Sequence, residues 1–150
     1  MIEVLLSCII LVDAKLIEIS EYEDQLNQLF LDNSNDKLLL KLQWCFSDIN
    51  QMIKLIDDYL LNNEINYDVF GRNLVKKLNE IYINGNVDIK DFNSKVLRIW
   101  GNIPNDIQLK EPFWMMSYAS EPLSWGDVEQ THKIYKKMFN FYNEKTNGKI

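Results

Sequence analysis

Residues 38–60 read LLLKLQWCFSDINQMIKLIDDYL. Leu38, Leu42, Cys45, Ile49, Ile53, Ile56 and Leu60 recur at steps of three and four, the spacing that aligns side chains on one face of an α-helix. The pattern predicts a single long helix, capped by Ser34 and stopped by Asn62-Asn63. At about 1.5 Å of rise per residue, its apolar positions span about 33 Å. A chain organised around such an element is all-α.

The flanking sequence repeats the signal. Towards the N-terminus, Ser20 with Glu23 reads as a capping box, in which each side chain satisfies an orphan backbone N–H, ahead of Leu26, Leu29 and Phe30. Val4–Val12 (VLLSCIILV) is apolar throughout. It is preceded by Glu3 rather than Lys or Arg, runs into Asp13-Ala14-Lys15 without a small-residue cleavage pattern, and is too short to span a bilayer. It therefore reads as a buried first helix. Towards the C-terminus, a helix beginning near Tyr67 carries Val69, Phe70, Leu74, Leu78, Ile81 and Tyr82, with Asn84-Gly85-Asn86 as its stop. Another uses Phe92, Val96, Ile99 and Trp100, ending at Gly101 before Pro104. Pro112 suits the first turn of a short helix through Met116. Ser124 with Asp127 opens a last helix bearing Val128, Thr131, Ile134, Tyr135, Met138 and Phe141.

Composition agrees. Only 5 Gly and 3 Pro in 150 residues leave little material for the tight turns of a sandwich or barrel, and an apolar content of 47% supports a core. The expectation is one helical domain over residues 1–150, a bundle of six to seven helices. Cys8 and Cys45 lie among apolar residues and read as small thiols on buried helix faces, not as a disulfide framework.

A repeat is visible at an offset of 70. Ile17-Glu18-Ile19-x-Glu21-Tyr22 aligns with Val87-Asp88-Ile89-x-Asp91-Phe92. Leu26, Leu29 and Phe30 then meet Val96, Ile99 and Trp100, and upstream Val4, Cys8 and Leu11 meet Leu74, Leu78 and Ile81. The pattern makes residues 4–30 and 74–100 a candidate duplicated αα-hairpin. Two unrelated αα-hairpins would share the same grammar, so both readings stand at this point.

The formal charge of −6 is unevenly spread. Residues 1–68 hold 13 Asp and Glu against 4 Lys, a net of −9, whereas residues 69–150 hold 9 acidic against 12 basic side chains, a net of +3. Such a field in the first part repels nucleic acid and draws a basic partner. Nothing in the chain points to a membrane.

The inventory for catalysis is thin. His132 is the only histidine, in a helix with Lys133, Lys136 and Lys137, and reads as a surface or partly buried side chain rather than a general base. There is no glycine-rich phosphate loop, no paired-cysteine zinc spacing and no orienting motif around the histidine. The expectation is a non-enzymatic protein without metal or cofactor.

Two groups of side chains stand out as contact candidates. Asp57 and Asp58, followed by Tyr59, Glu64, Tyr67 and Asp68, gather carboxylates near the end of the long helix. There the helix dipole disfavours them by about 0.3–1 kcal/mol each, a cost a binding surface can carry and an ordinary solvated helix end can carry too. Glu21, Glu23 and Asp24 are better explained as first-turn residues that the dipole favours. The segment 111–125 (EPFWMMSYASEPLSW) supplies Trp114, Tyr118 and Trp125, which read either as core closing against an irregular connector or as a docking surface.

Residues 1–82 resemble the colicin D-type immunity family. The resemblance lies in the apolar first helix, Ile17-Glu18-Ile19-Ser20, Glu21-Tyr22-Glu23 and Leu29-Phe30. It continues through Ile56-Asp57-Asp58-Tyr59, the polar stretch to Tyr67-Asp68 and the amphipathic helix through Leu74 and Leu78. It covers a little over half the chain; the remaining 68 residues have no counterpart in that family. Similar helical immunity proteins accompany contact-dependent growth-inhibition toxins, where extra length is accommodated. The resemblance implies a cytoplasmic helical bundle that binds a basic nuclease toxin, a ribonuclease or deoxyribonuclease, and covers its active site. Asp57, Asp58, Glu64 and Asp68 would carry the acidic surface. The alternative is a helical adaptor or regulatory subunit docking through segment 111–125.

Overall fold

Asp36, Asp48, Asn66 and Asp127 decide where four of the helices begin. Each accepts a hydrogen bond from the backbone N–H three residues on: Leu39 at 3.0 Å, Gln51 at 3.1 Å, Val69 at 3.2 Å and Gln130 at 3.1 Å. An Asx oxygen so placed satisfies one of the N–H groups that a helix start leaves without an intrahelical partner. The structure, a computed structural model, describes residues 1–85 and 87–147. These form α1 (Ile2–Asp13), α2 (Ile19–Asp32), α3 (Lys37–Gln43), α4 (Ile49–Leu60), α5 (Tyr67–Asn84), α6 (Ile89–Asn102), α7 (Trp114–Tyr118), α8 (Ser120–Ser124) and α9 (Val128–Asn147), with no strand among them. The all-α bundle follows from the periodicity. No helix among the described residues is long and apolar enough to cross a membrane.

The long helix expected over 34–63 is two helices. Asp48 captures the Gln51 N–H and starts α4 afresh, while α3 is capped by Asp36 rather than Ser34 and ends at Gln43. A periodic apolar stripe continues across the break because both helices use the same side of the sequence pattern. Leu38, Leu42, Ile53 and Ile56 are buried as the stripe requires, joined by Leu39 and Met52, whereas Cys45, Ile49 and Leu60 are only half-buried. Cys45 lies in the turn between the helices and Cys8 is half-buried on α1, so neither thiol sits on a fully buried helix face.

Two further cap assignments change. The start of α2 is at Glu18, whose side chain makes no cap bond, so the Ser20–Glu23 box is not used. Ser124 belongs to the end of α8, where its hydroxyl donates to the Glu121 carbonyl at 2.6 Å, and Asp127 opens α9. Asn86, expected as part of the α5 stop, lies outside the described residues. Gly85 itself is required: a Cβ there would meet the Ile81 carbonyl oxygen at 2.8 Å.

Contacts divide the chain into two compact units, Met1–Asn73 and Leu74 onward, with the boundary inside α5. In the first, α1 packs on α2 and α4, α2 on α3, and α3 on α4. Leu5, Leu6, Ile9 and Ile10 of α1 are wholly buried, as expected of a helix apolar on nearly every side. α1 ends in a Schellman motif: the Leu16 N–H donates to Leu11 O at 3.0 Å and the Lys15 N–H to Val12 O at 2.9 Å, with Lys15 at φ 63.

In the second unit α6 packs on α7 and α8, and α9 on both of those short helices. Phe92, Tyr135, Tyr82 and Phe139 form an aromatic cluster, with Phe92 and Tyr135 edge to face at 5.2 Å. The Tyr82 hydroxyl and His132 Nδ1 share a hydrogen bond. Trp100 Nε1 donates to the Gln108 carbonyl at 3.2 Å while Gln108 Nε2 donates to the Trp100 carbonyl at 2.9 Å, tying the 103–113 connector back to α6. Thr131 Oγ1, buried, donates to Ala119 O at 2.8 Å and pins α9 to the α7–α8 junction.

The second helices of the two candidate hairpins keep the 70-residue offset, whereas α1 and α5 do not: α5 begins at Tyr67, 65 residues after Ile2. α2 begins at Ile19 and ends at Asp32; α6 begins at Ile89 and ends at Asn102, each bound 70 residues later. Tyr22 and Phe92, aligned by that offset, are both wholly buried, as are Leu26 and Val96 to within a few percent.

Candidate functional site

The acidic candidates fall on three consecutive pieces of the first unit. Asp57, Asp58 and Tyr59 occupy the last turn of α4, Glu64 the 61–66 connector, and Tyr67 and Asp68 the first turn of α5. Asp57, Asp58 and Glu64 are exposed. Lys54 Nζ lies 2.9 Å from Asp58 and Arg72 Nε lies 2.8 Å from Asp68, so each of those carboxylates already has a cation one helical turn away. Both bridges are solvent-exposed and of the kind worth little to stability.

Asp57 differs from them. It makes no ion pair among the described residues, and partial removal from water, together with the neighbouring Asp58 carboxylate, pushes its pKa up. A carboxylate at the negative end of a helix dipole, beside a second carboxylate and without a cation of its own, is electrostatically uncomfortable in the isolated protein. An external cation relieves it.

Asp58 and Tyr59 line a shallow depression of about 340 Å³ together with Asp36, Lys37, Lys41 and Leu55. Glu64, Tyr67 and Asp68 do not line it. Next to it, sharing Lys41 and Leu55, is a second depression of about 570 Å³ walled by Leu40, Trp44, Cys45, Asp48 and Gln51. Trp44 is 73% exposed and Phe46 75% exposed. Sequence reading missed both aromatics, because a continuous helix through 38–60 hides the turn that displays them. The signal was present: Asp48 followed three residues later by Gln51 is a helix-start pair set inside the apolar repeat.

The segment 111–125 divides between the two roles considered for it. Phe113, Met115 and Met116 are buried, whereas Tyr118 is 49% and Trp125 65% exposed. Trp114 and Tyr118, edge to face at 5.7 Å, wall a groove of about 710 Å³ between α7 and α9 with Lys133, Lys136 and Lys137 on the other side. Trp125 does not line it.

Chemically, these surfaces offer carboxylate acceptors, aromatic faces and lysine donors. Among the described residues no three His, Cys, Asp or Glu side chains come together as a metal site requires. The fold and surfaces define an all-helical protein with an acid-rich first unit. No family model matches the chain, and no curated protein or solved structure is significantly similar to it.

Proposed function

We propose that the protein is a cytoplasmic immunity protein that binds a basic nuclease toxin domain, of a contact-dependent growth-inhibition or bacteriocin system, and covers its active site with an acidic helical surface. The observation that carries the reading is Asp57: an exposed carboxylate with no ion pair among the described residues, beside Asp58 and at the wrong end of a helix dipole. Residues 1–73 surround it with 13 acidic against 5 basic side chains, a net of −8. The resemblance of residues 1–82 to the colicin D-type family points the same way.

A nuclease presents Lys and Arg to phosphates. Carboxylates on a helical scaffold compete for those groups through charge-assisted hydrogen bonds, and the field of the unit speeds encounter. The action is stoichiometric and needs no catalysis, metal or cofactor. The reading expects a gene for a basic nuclease domain beside this one, and coexpression with that domain tests it: cells survive with the intact protein and die with the Asp57→Lys/Asp58→Lys variant. Survival with the charge-reversed protein, once its fold is verified by circular dichroism, would refute the acid-face reading.

A second reading has its own observation. The α7–α9 groove, where Lys133, Lys136 and Lys137 outnumber Glu111 and Glu144 beside Trp114 and Tyr118, suits a helical adaptor or regulatory subunit that takes up an acidic segment of another protein. Loss of partner capture on Trp114→Ala, with the Asp57/Asp58 variant still competent, would transfer the function there.

A further inference from the structure

We propose that the α3–α4 turn is the apolar anchor of the docking surface, with Trp44 and Phe46 gripping an aliphatic or aromatic side chain of a cationic partner segment. Asp36 and Asp48 then meet the Lys or Arg residues that flank this side chain. The inference rests on the reading above that the first unit meets a basic protein, and adds what that partner must carry besides charge.

Four observations converge on the turn. Trp44 and Phe46 leave about three-quarters of their surfaces in water, although Trp and aromatic anchors are what interface centres are built from. Phe46 stands at φ 54, a left-handed conformation uncommon for a bulky residue, so the turn holds this side chain outward against its own backbone preference. Trp44 walls the 570 Å³ depression, which runs into the 340 Å³ depression through their shared Lys41 and Leu55.

The fourth observation is charge. Three carboxylates, Asp36, Asp48 and Asp58, line the paired depressions with Lys37 and Lys41; Lys54 holds Asp58, and the excess acid comes from Asp57, which precedes it on α4 with no ion pair among the described residues. Asp36 and Asp48 each spend only Oδ1 on capping, which leaves Oδ2 of each without a partner among the described residues. An apolar hollow rimmed by such oxygens selects a segment in which Lys or Arg brackets an apolar residue. It rejects an acidic or purely polar one.

The test uses the full-length protein and two fluorescein-labelled peptides of about 12 residues and equal positive charge, one of Lys and Leu, the other of Lys and Ser. Anisotropy at low salt should show the Lys–Leu peptide binding about tenfold tighter. Trp44→Ser should erase that preference while leaving the Lys–Ser affinity where it was, and Phe46→Gly should weaken the Lys–Leu peptide alone. Trp125→Ser, an equally exposed tryptophan in the second unit, should change neither. Absence of a preference in the unmodified protein, its survival in Trp44→Ser, or its loss in Trp125→Ser overturns the anchor. The Asp57→Asn/Asp58→Asn variant reports separately on the acid face. Unchanged Lys–Ser binding there sinks the acidic-surface reading, whatever Trp44 does.

Discussion

Tyr135 Oη donates to Asn93 Oδ1 across 2.7 Å, both side chains buried, and so joins α9 to α6 by a polar bond inside an otherwise aromatic cluster. Burial, with a contribution from the Tyr82 phenol, pushes the Tyr135 pKa up and keeps it a neutral donor. Tyr135→Phe keeps the ring packing but strands the Asn93 amide oxygen. A loss of about 1–3 kcal/mol in urea unfolding is expected.

Tyr22 presents the opposite case. Its ring is wholly buried and its hydroxyl has no hydrogen-bond partner among the described residues. Burial, then the Cys45 and Cys8 thiols and Glu23, push its pKa up. Removing an unsatisfied buried hydroxyl removes its desolvation cost, so Tyr22→Phe should raise stability by about 1 kcal/mol. The position 70 residues on is already Phe92. Equal denaturation midpoints for Tyr22→Phe and the unmodified protein would contradict this.

Backbone strain gives a graded series in thermal melting. Lys15 occupies the left-handed position of the α1 Schellman motif, where Gly126 at φ 86 stands in the corresponding motif after α8. Lys15→Gly should stabilise by about 1 kcal/mol. Gly101→Ala, with nothing within 4 Å of the new Cβ, should gain about 0.5–1 kcal/mol in α6. Gly85→Ala should lose stability, since its Cβ meets backbone at 2.8 Å.

Two carboxylates should shape the pH dependence in opposite senses. For Glu3, burial pulls the pKa up, but the Asn66 N–H at 2.9 Å, its own backbone N–H and the Met1 ammonium at 3.2 Å outweigh burial and hold it below the usual carboxylate range. Its contribution is present above the unfolded value of about 4.3 and is lost as pH falls through the lowered folded value. Glu3→Gln should therefore lower the melting temperature at neutral pH and flatten the acid limb. Asp57 is raised, so its ionised form costs stability once pH exceeds the folded value. Asp57→Asn should melt higher at neutral pH, with the gain fading as the solution is acidified.

The outcome along the chain separates by the range of the interactions involved. α5 and α6 were readable because their apolar residues and end signals lie within a few turns of one another, at Leu74, Leu78 and Phe92 through Ile99. The turn at 44–48 was not, because Leu42, Cys45 and Ile49 continue a helical period that a capping carboxylate at Asp48 interrupts without breaking. The candidate acidic residues were legible as charge, and the structure leaves Asp57, Asp58 and Glu64 in water. Of the exposed aromatics, Tyr118 and Trp125 were legible as contact candidates, whereas Trp44 and Phe46 were hidden in the helical period and signalled only by the Asp48–Gln51 start pair.

Helical class, the 70-residue echo and the acid bias of the first unit were set by local spacing and composition, which no packing alters. Tertiary structure alone decided that Leu39 and Met52 go inside while Trp44 and Phe46 stay out, and that Phe113 is core while Tyr118 walls a groove. An apolar side chain carries the same drive to leave water wherever it stands; whether it can do so depends on which other helix arrives to cover it.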